Sequence, residues 1–159
     1  MPGTELVFEH EIDLPASVVW DALVDPVLLE GWLAAVEPSP LAAPAIAIDW
    51  LDGSEPSPTA AAVELVEPPR RLRLGTDNRG SIDLRLTEVP GGLRGMGTVL
   101  ELRVRVPVDA RFAAAIAADW ESALDRLDDL LRGRPAEWAA VRRRRAAKRA
   151  HMSTRDNIR

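Results

Sequence analysis

Few side chains in this sequence have the type and spacing that chemistry requires. His10 is the only histidine ahead of the C-terminal basic segment. Its place in the alternating run LVFEHEIDL points it to the inner side of a strand, where it could orient a polar group or act as a base near neutral pH. A structural histidine, hydrogen-bonded to a neighbouring element, is the reading that the pattern favours. There is no cysteine, which removes disulfides, thiolate zinc sites and cysteine nucleophiles, and one histidine cannot supply a typical zinc shell. Ser39, Ser54, Ser57, Ser81 and Ser122 would each have to meet His10 in a hydrolytic triad, and none lies in a nucleophile elbow. The acids are numerous but lack any motif spacing, so most read as solvated surface. Gly91-Gly92-Leu93-Arg94-Gly95-Met96-Gly97 joins two strands and opens no helix, so it reads as a hairpin turn and not a phosphate loop. No residue is assigned a catalytic role, and no cofactor or metal is called for.

The remaining candidates are aromatic. Trp20, Trp32, Trp50 and Trp120 each fall on an apolar face. Trp20 reads as core, while Trp32, Trp50 and Trp120 are placed either to pack or to stack on a flat apolar ligand.

The elements that would position these residues follow from periodicity. Leu6, Phe8, His10, Ile12 and Leu14 alternate with Glu5, Val7, Glu9, Glu11 and Asp13, a strand with one buried face. Pro15 begins a short helix with Val19, Trp20 and Leu23 on one face. Asp25-Pro26 then caps and starts a second short helix carrying Leu28, Leu29 and Trp32. Between 33 and 59 the prolines at 38, 40, 44, 56 and 58 leave one clear strand, Ile46 to Leu51. Strand patterns resume at Val63 and Leu65 and, after Pro68-Pro69, at Leu72 and Leu74. The clearest pair is Ile82, Leu84, Leu86 against Leu100, Leu102, Val104, Val106, joined at Pro90-Gly91-Gly92. Outward Asp83 and Arg85 can meet Glu101 and Arg103. From 109 to 132 the spacing of Phe112, Ile116, Trp120, Leu124, Leu127 and Leu131 predicts one amphipathic helix, stopped by Gly133 and Pro135. Such a helix cannot stand alone, because its apolar stripe must be covered to offset the cost of ordering its backbone.

Length and charge bound the setting. A chain of 159 residues with 47% apolar residues suits one domain with a sizeable core. The opening lacks a secretory signal pattern and there is no long apolar run, so a cytoplasmic location without a transmembrane segment is expected. Residues 132–159 carry ten Arg or Lys against Glu137 and Asp156, whereas the rest carries ten against 23 acids. An acidic body therefore bears a basic, helix-permitting tail, 133–159. The tail could contact nucleic acid or an anionic surface. A solvated tail, or one folded back on the acidic body and pinned by Trp138 and Val141, is favoured.

Three segments carry a family likeness: IDLPASVVWDALVDPVLLEGWL, VEPPRRLRL and DWESALDRLDDLL. With their order and spacing, the chain resembles the activator of Hsp90 ATPase-like branch of the START-like (SRPBCC) superfamily. The resemblance implies an α+β helix-grip fold over residues 1–132: a curved antiparallel sheet, two short helices after the first strand and a long C-terminal helix packed across the sheet. It departs from the family pattern in two places. The proline-rich stretch around Ile46 to Pro58 replaces a strand that commonly carries an arginine and paired glycines, and Asp119 stands where glycine often precedes the closing-helix tryptophan.

The fold implies a cup beneath the long helix that holds a small apolar ligand, lipid-like or aromatic. The expected lining is Phe8, His10, Trp32, Ile48, Trp50, Leu84, Leu86, Leu102, Phe112, Ile116 and Trp120. Any cavity should lie under the N-terminal half of the helix, where Phe112 and Ile116 stand among alanines. Two other functions stay open: a polyketide cyclase or aromatase-like enzyme in which His10 and one cavity carboxylate or arginine guide proton transfer, and a protein-interaction module of the co-chaperone kind.

Overall fold

The computed structural model describes residues 3–54, 58–76, 79–93 and 95–157, without the side chains of Arg149 and residues 151–157. Pro56, Ser57 and Arg94 lie outside the described residues. In chain order the elements are β1 (Thr4–Ile12), α1 (Ala16–Val24), α2 (Pro26–Leu29), β2 (Ala35–Glu37), β3 (Ala45–Asp49), β4 (Thr59–Glu67), β5 (Arg71–Thr76), β6 (Ser81–Pro90), β7 (Met96–Val106), α3 (Ala110–Leu131) and α4 (Trp138–Asn157). The strands form one curved antiparallel sheet in the order β1-β7-β6-β5-β4-β3-β2, and α3 closes over it in the helix-grip arrangement.

Alternation builds the sheet as expected. In the β6–β7 ladder, Ile82 opposes Val104, Leu84 opposes Leu102 and Leu86 opposes Leu100, and all six are buried. Asp83 opposes Arg103 and Arg85 opposes Glu101 on the other face. The ion pairs run along neighbouring directions instead. Asp83 receives Nε and Nη2 of Arg71 at 3.3 and 2.9 Å, with Arg73 and Arg85 at 3.5 and 3.7 Å, while Arg103 reaches Glu5 and Glu101. Burial alone would raise the Asp83 pKa, but the hydrogen bond from Arg71 and the charges of Arg71, Arg85 and Arg73 outweigh it and hold the carboxyl below its ordinary value.

The helices depart from expectation in three details. First, α2 ends at Leu29, so Trp32 sits in the turn beyond it, where it is 1% exposed and donates its indole N–H to Ala22 O at 2.8 Å. Asp25 does cap α2, accepting from Val27 N at 3.0 Å. Second, the proline-rich stretch contains an additional short strand, β2, paired with β3. Third, Phe112 is not on the buried face of α3; it is 56% exposed, and Ala113 is buried in its place. Helical geometry explains the exchange. At 3.6 residues per turn, Ala113 lies about 20° from the direction of Trp120, whereas Phe112 lies about 80° away. Asp109 stands at the N-cap of α3 but makes no side-chain cap bond.

Leu124 and Leu127 anchor the C-terminal half of α3, at 5% and 0% exposure. The helix ends in a left-handed Gly133 (φ 85°), with Gly133 N bonded to Leu130 O and Arg134 N to Asp129 O. This closing pattern needs glycine at that position. The chain then turns back on the body: Ala136 N bonds Gly31 O at 2.8 Å, and the Trp138 indole N–H donates to Glu30 O at 2.7 Å.

Candidate functional site

A cavity of about 290 Å³ opens beside the N-terminal half of α3. Small side chains on that helix leave the room: Ala115 and Ala123 line it alongside Ile116, Asp119 and Trp120. The end of β7 contributes Val106 and the following Pro107-Val108, and the loop after β3 contributes Trp50, Asp52 and Ser54. Leu33, Arg79, Arg126 and Arg145 complete the wall. Its volume is near the lower bound of small-molecule sites.

The aromatic part of the wall is rigidly held. Trp50 and Trp120 meet edge to face, with ring centres 6.1 Å apart and an 87° interplanar angle. The Trp50 indole N–H donates to Thr59 Oγ1 at 2.9 Å, both residues being buried. The Arg79 guanidinium stands 4.2 Å over the Trp50 ring and donates to Ser54 Oγ. Below the two tryptophans the interior narrows to a small apolar space of about 20 Å³ among Leu23, Trp32, Ile48, Leu84 and their neighbours, far less than the cavity above it.

The polar part of the wall is a cluster of guanidinium and carboxylate groups contributed by three elements. Arg145 of α4 donates Nη1 and Nη2 to Oδ1 and Oδ2 of Asp119 on α3, at 2.5 and 3.2 Å, and stands 3.9 Å from Asp52. The hydrogen bonding of its guanidinium to Asp119 is the main cause of a raised Arg145 pKa. Its Nε is buried without a hydrogen-bond partner. Arg126 donates Nε to Trp32 O at 2.9 Å, and its guanidinium lies 5.1 Å from the Trp138 ring. Burial is the main cause lowering its pKa; Asp52 and Asp119 act in the opposite direction, and Arg144 and Arg145 add to the lowering. A cavity with one aromatic side and one charged side can hold an amphipathic small molecule in a single orientation.

Of the residues singled out from sequence, Trp50, Ile116 and Trp120 line this cavity. Trp32, Ile48 and Leu84 lie with Trp50 and Trp120 around the small apolar gap beneath it. Phe8 is half-buried against the core, and Leu86 and Leu102 are within it, at 5% and 1% exposure. His10 lines neither space; its Nε2 is 2.7 Å from Asp128 Oδ2 on α3. Phe112 faces solvent, with the Arg111 guanidinium 4.9 Å from its ring. The charged wall was not anticipated: Asp52, Arg79, Arg126 and Arg145 come from separate elements, and nothing local in the sequence signals that they meet. Asp119 alone carried a signal, as a departure from glycine before the tryptophan. Among the described residues no group of three or more His, Asp or Glu is placed to hold a metal.

Comparison with known proteins places these features in context. The family model for activator of Hsp90 ATPase homolog 1-like protein matches residues 13–132. No curated protein sequence matches significantly. Among solved structures, DynU16, encoded in the dynemicin biosynthetic locus, superposes with a TM-score of 0.65 at 24% identity, over 82% of this chain. The match spans about half of that protein, 48% of its length. SSP2350 from Staphylococcus saprophyticus gives a TM-score of 0.67 at 17% identity, covering 84% of this chain and 96% of its own. The AHSA1-like protein from Aeromonas hydrophila gives 0.61 at 19% identity, covering 82% and 93%. At these identities the likeness establishes the fold. Helix α4, with Trp138 and Arg145, lies beyond the residues that the family model matches.

Proposed function

The chain belongs to the activator of Hsp90 ATPase homolog 1-like protein family, within the START-like superfamily, and from that premise we propose that it is a binding module for a small, flat, largely apolar molecule. The observation that carries this reading is the cavity of about 290 Å³ whose wall includes the edge-to-face pair Trp50 and Trp120. An empty space of this size next to a packed interior forgoes dispersion contacts that a ligand would restore. The tryptophans offer a large apolar surface with little conformational freedom left to lose. A relative encoded in a biosynthetic locus is in keeping with a small-molecule role.

The enzymatic alternative pairs His10 with one cavity carboxylate or arginine. Asp52, Asp119 and Arg126 do line the cavity, but His10 is bonded to Asp128 and stands outside the lining, so the binding reading is the better supported. For the tail, Arg142 donates to Leu51 O and Arg145 is engaged by Asp119 and Asp52, so these two basic residues are directed at the body and not at an external polyanion. Among the described residues no helix is long and apolar enough to cross a membrane.

The test is binding of a lipophile panel, followed by native mass spectrometry, thermal shift and tryptophan fluorescence. Binding by at least one flat apolar compound is expected, and Ala115→Phe, which narrows the mouth of the cavity from an exposed position, should abolish it without loss of folding. Failure of every compound to bind, or undiminished binding by the Phe variant, would overturn the assignment.

A further inference from the structure

We infer that the ligand of this cavity is an anion: a flat or chain-like apolar molecule bearing one carboxylate, its apolar part against Trp50 and Trp120 and its acid group on Arg126. The inference deepens the binding role proposed above and rests on it.

Arg126 is the central observation. Its guanidinium is substantially withdrawn from water, and that withdrawal depresses its pKa. A cation in such a place is normally matched by a carboxylate. Among the described residues, none lies within ion-pair distance of it. Its hydrogen bond goes from Nε to a backbone carbonyl, Trp32 O, and one side of the group is covered by the Trp138 ring. Since Nε is used in holding the side chain in place, the terminal nitrogens remain as the donors that can face the cavity, which Arg126 lines. A guanidinium fixed in this manner is preorganised for a planar oxyanion.

The second observation concerns Arg145. It satisfies Asp119 through both terminal nitrogens and has Asp52 nearby, so the two acids of the cavity wall converge on this one cation. Its Nε is buried away from the cavity without a partner, so Arg145 is spent on holding the two acids in place. The acids are therefore engaged, and the unspent hydrogen-bonding capacity of the wall is of the donor kind. A neutral apolar ligand would leave it unspent, and a cationic one would offer Arg126 no acceptor. An anion supplies that acceptor.

The Trp138 ring that covers Arg126 belongs to α4, beyond the span 13–132 that the family model matches. Helix α4 thus helps give an apolar trough a charge-reading end.

Two acid and amide pairs test the inference on the full chain: 2-naphthoate against 2-naphthamide, and dodecanoate against dodecanamide, titrated calorimetrically and by tryptophan fluorescence. At least one acid should bind about tenfold or more tightly than its amide. Arg126→Met should erase that preference, and Arg126→Lys should keep part of it. Equal affinities of acid and amide overturn the anion assignment and leave the apolar binding role standing. A preference that survives Arg126→Met also overturns it, because the charge would then be read elsewhere. If none of the four compounds binds, the binding role and the anion assignment fall together. Should Arg126→Met not fold, the wild-type comparison and Arg126→Lys still decide the matter.

Discussion

Arg145 ties three separate parts of the chain together, and its replacement has an asymmetric consequence that can be worked from the geometry. Arg145→Met keeps the aliphatic stem but removes the cation shared by Asp119 and Asp52, whose side chains are 31% and 11% exposed. Two carboxylates then face each other with their main counter-charge gone. Exposed ion pairs are worth roughly 0.2–1 kcal/mol, whereas hydrogen bonds to charged groups run about 1.5–3 kcal/mol. With Arg145 itself 28% exposed, this site falls between the two. We expect a loss of about 2 kcal/mol, limited by the ability of Arg126 to shift toward the acids. Asp119→Asn is milder, at about 1 kcal/mol, since the amide oxygen still accepts from Arg145 and Asp52 still balances its charge. The double variant should be less costly than the sum of the two by about 1 kcal/mol. The measurement is urea denaturation followed by tryptophan fluorescence, with thermal melts alongside; for a chain of this length, about 2 kcal/mol corresponds to a drop of roughly 4–8 °C. If Arg145→Met falls within about 0.5 kcal/mol of the parent, the cluster does not hold α4 to the body. If Asp119→Asn proves the costlier change, the claim that both acids depend on Arg145 is wrong.

Three further outcomes follow from individual contacts. Thr59→Val preserves shape but strips the buried Trp50 indole N–H of its acceptor, and should cost on the order of 1–3 kcal/mol in the same urea titration. Phe112→Ser should change stability by no more than about 0.5 kcal/mol, whereas a loss of several kcal/mol would mean that the ring is buried after all. Asp83→Asn tests the sheet's outer face through pH. Because the folded Asp83 pKa is held below the ordinary 3.8, its contribution is present above that value and lost as pH falls below it toward the folded value. The variant should therefore be less stable by about 1–2 kcal/mol at neutral pH, with the gap closing in acid, and a gap that persists unchanged at low pH would assign the effect to packing.

The legible parts of this molecule were those governed by a short period. Alternation in β1, β6 and β7 identifies the inward residues because a strand's side chains leave by two faces only, and the Asp25-Pro26 and Gly133 signals mark helix boundaries because each has a backbone requirement. Where an apolar stripe thins out, the same method falters. Phe112 is the largest apolar residue at the start of α3, yet Ala113 is the one turned toward the core, and a pattern weighted by side-chain size chooses wrongly between adjacent positions. The strand β2 is three residues long, too short for any period to register. The charged wall is illegible for a different reason. Asp52, Arg126 and Arg145 are far apart in sequence, and ion pairing at such separations depends on the fold as a whole, without a local spacing to betray it.

One regularity nevertheless links the sequence to the site. Three features of the sequence stand outside its periodic pattern: the proline-rich stretch after α2, Asp119 before Trp120, and the basic segment beyond residue 132. In the folded molecule all three meet at the same cavity. The proline-rich stretch delivers Trp50 and Asp52, Asp119 projects from α3, and α4 supplies Arg145 to bind both acids. These features are coupled physically, because the half-buried acid at 119 without a cation from α4 would lose its main counter-charge, and α4 without the acids would have less to hold it. The periodic framework of β6, β7 and the C-terminal half of α3 bears none of them, since its packed interior has no room for variation at small cost. On the binding role proposed above, charge preference would reside at the open end of the grip, where the framework stops, and transplanting residues 133–157 together with Asp52, Asp119 and Arg126 onto a relative should carry that preference with it, whereas transplanting the helix alone should not.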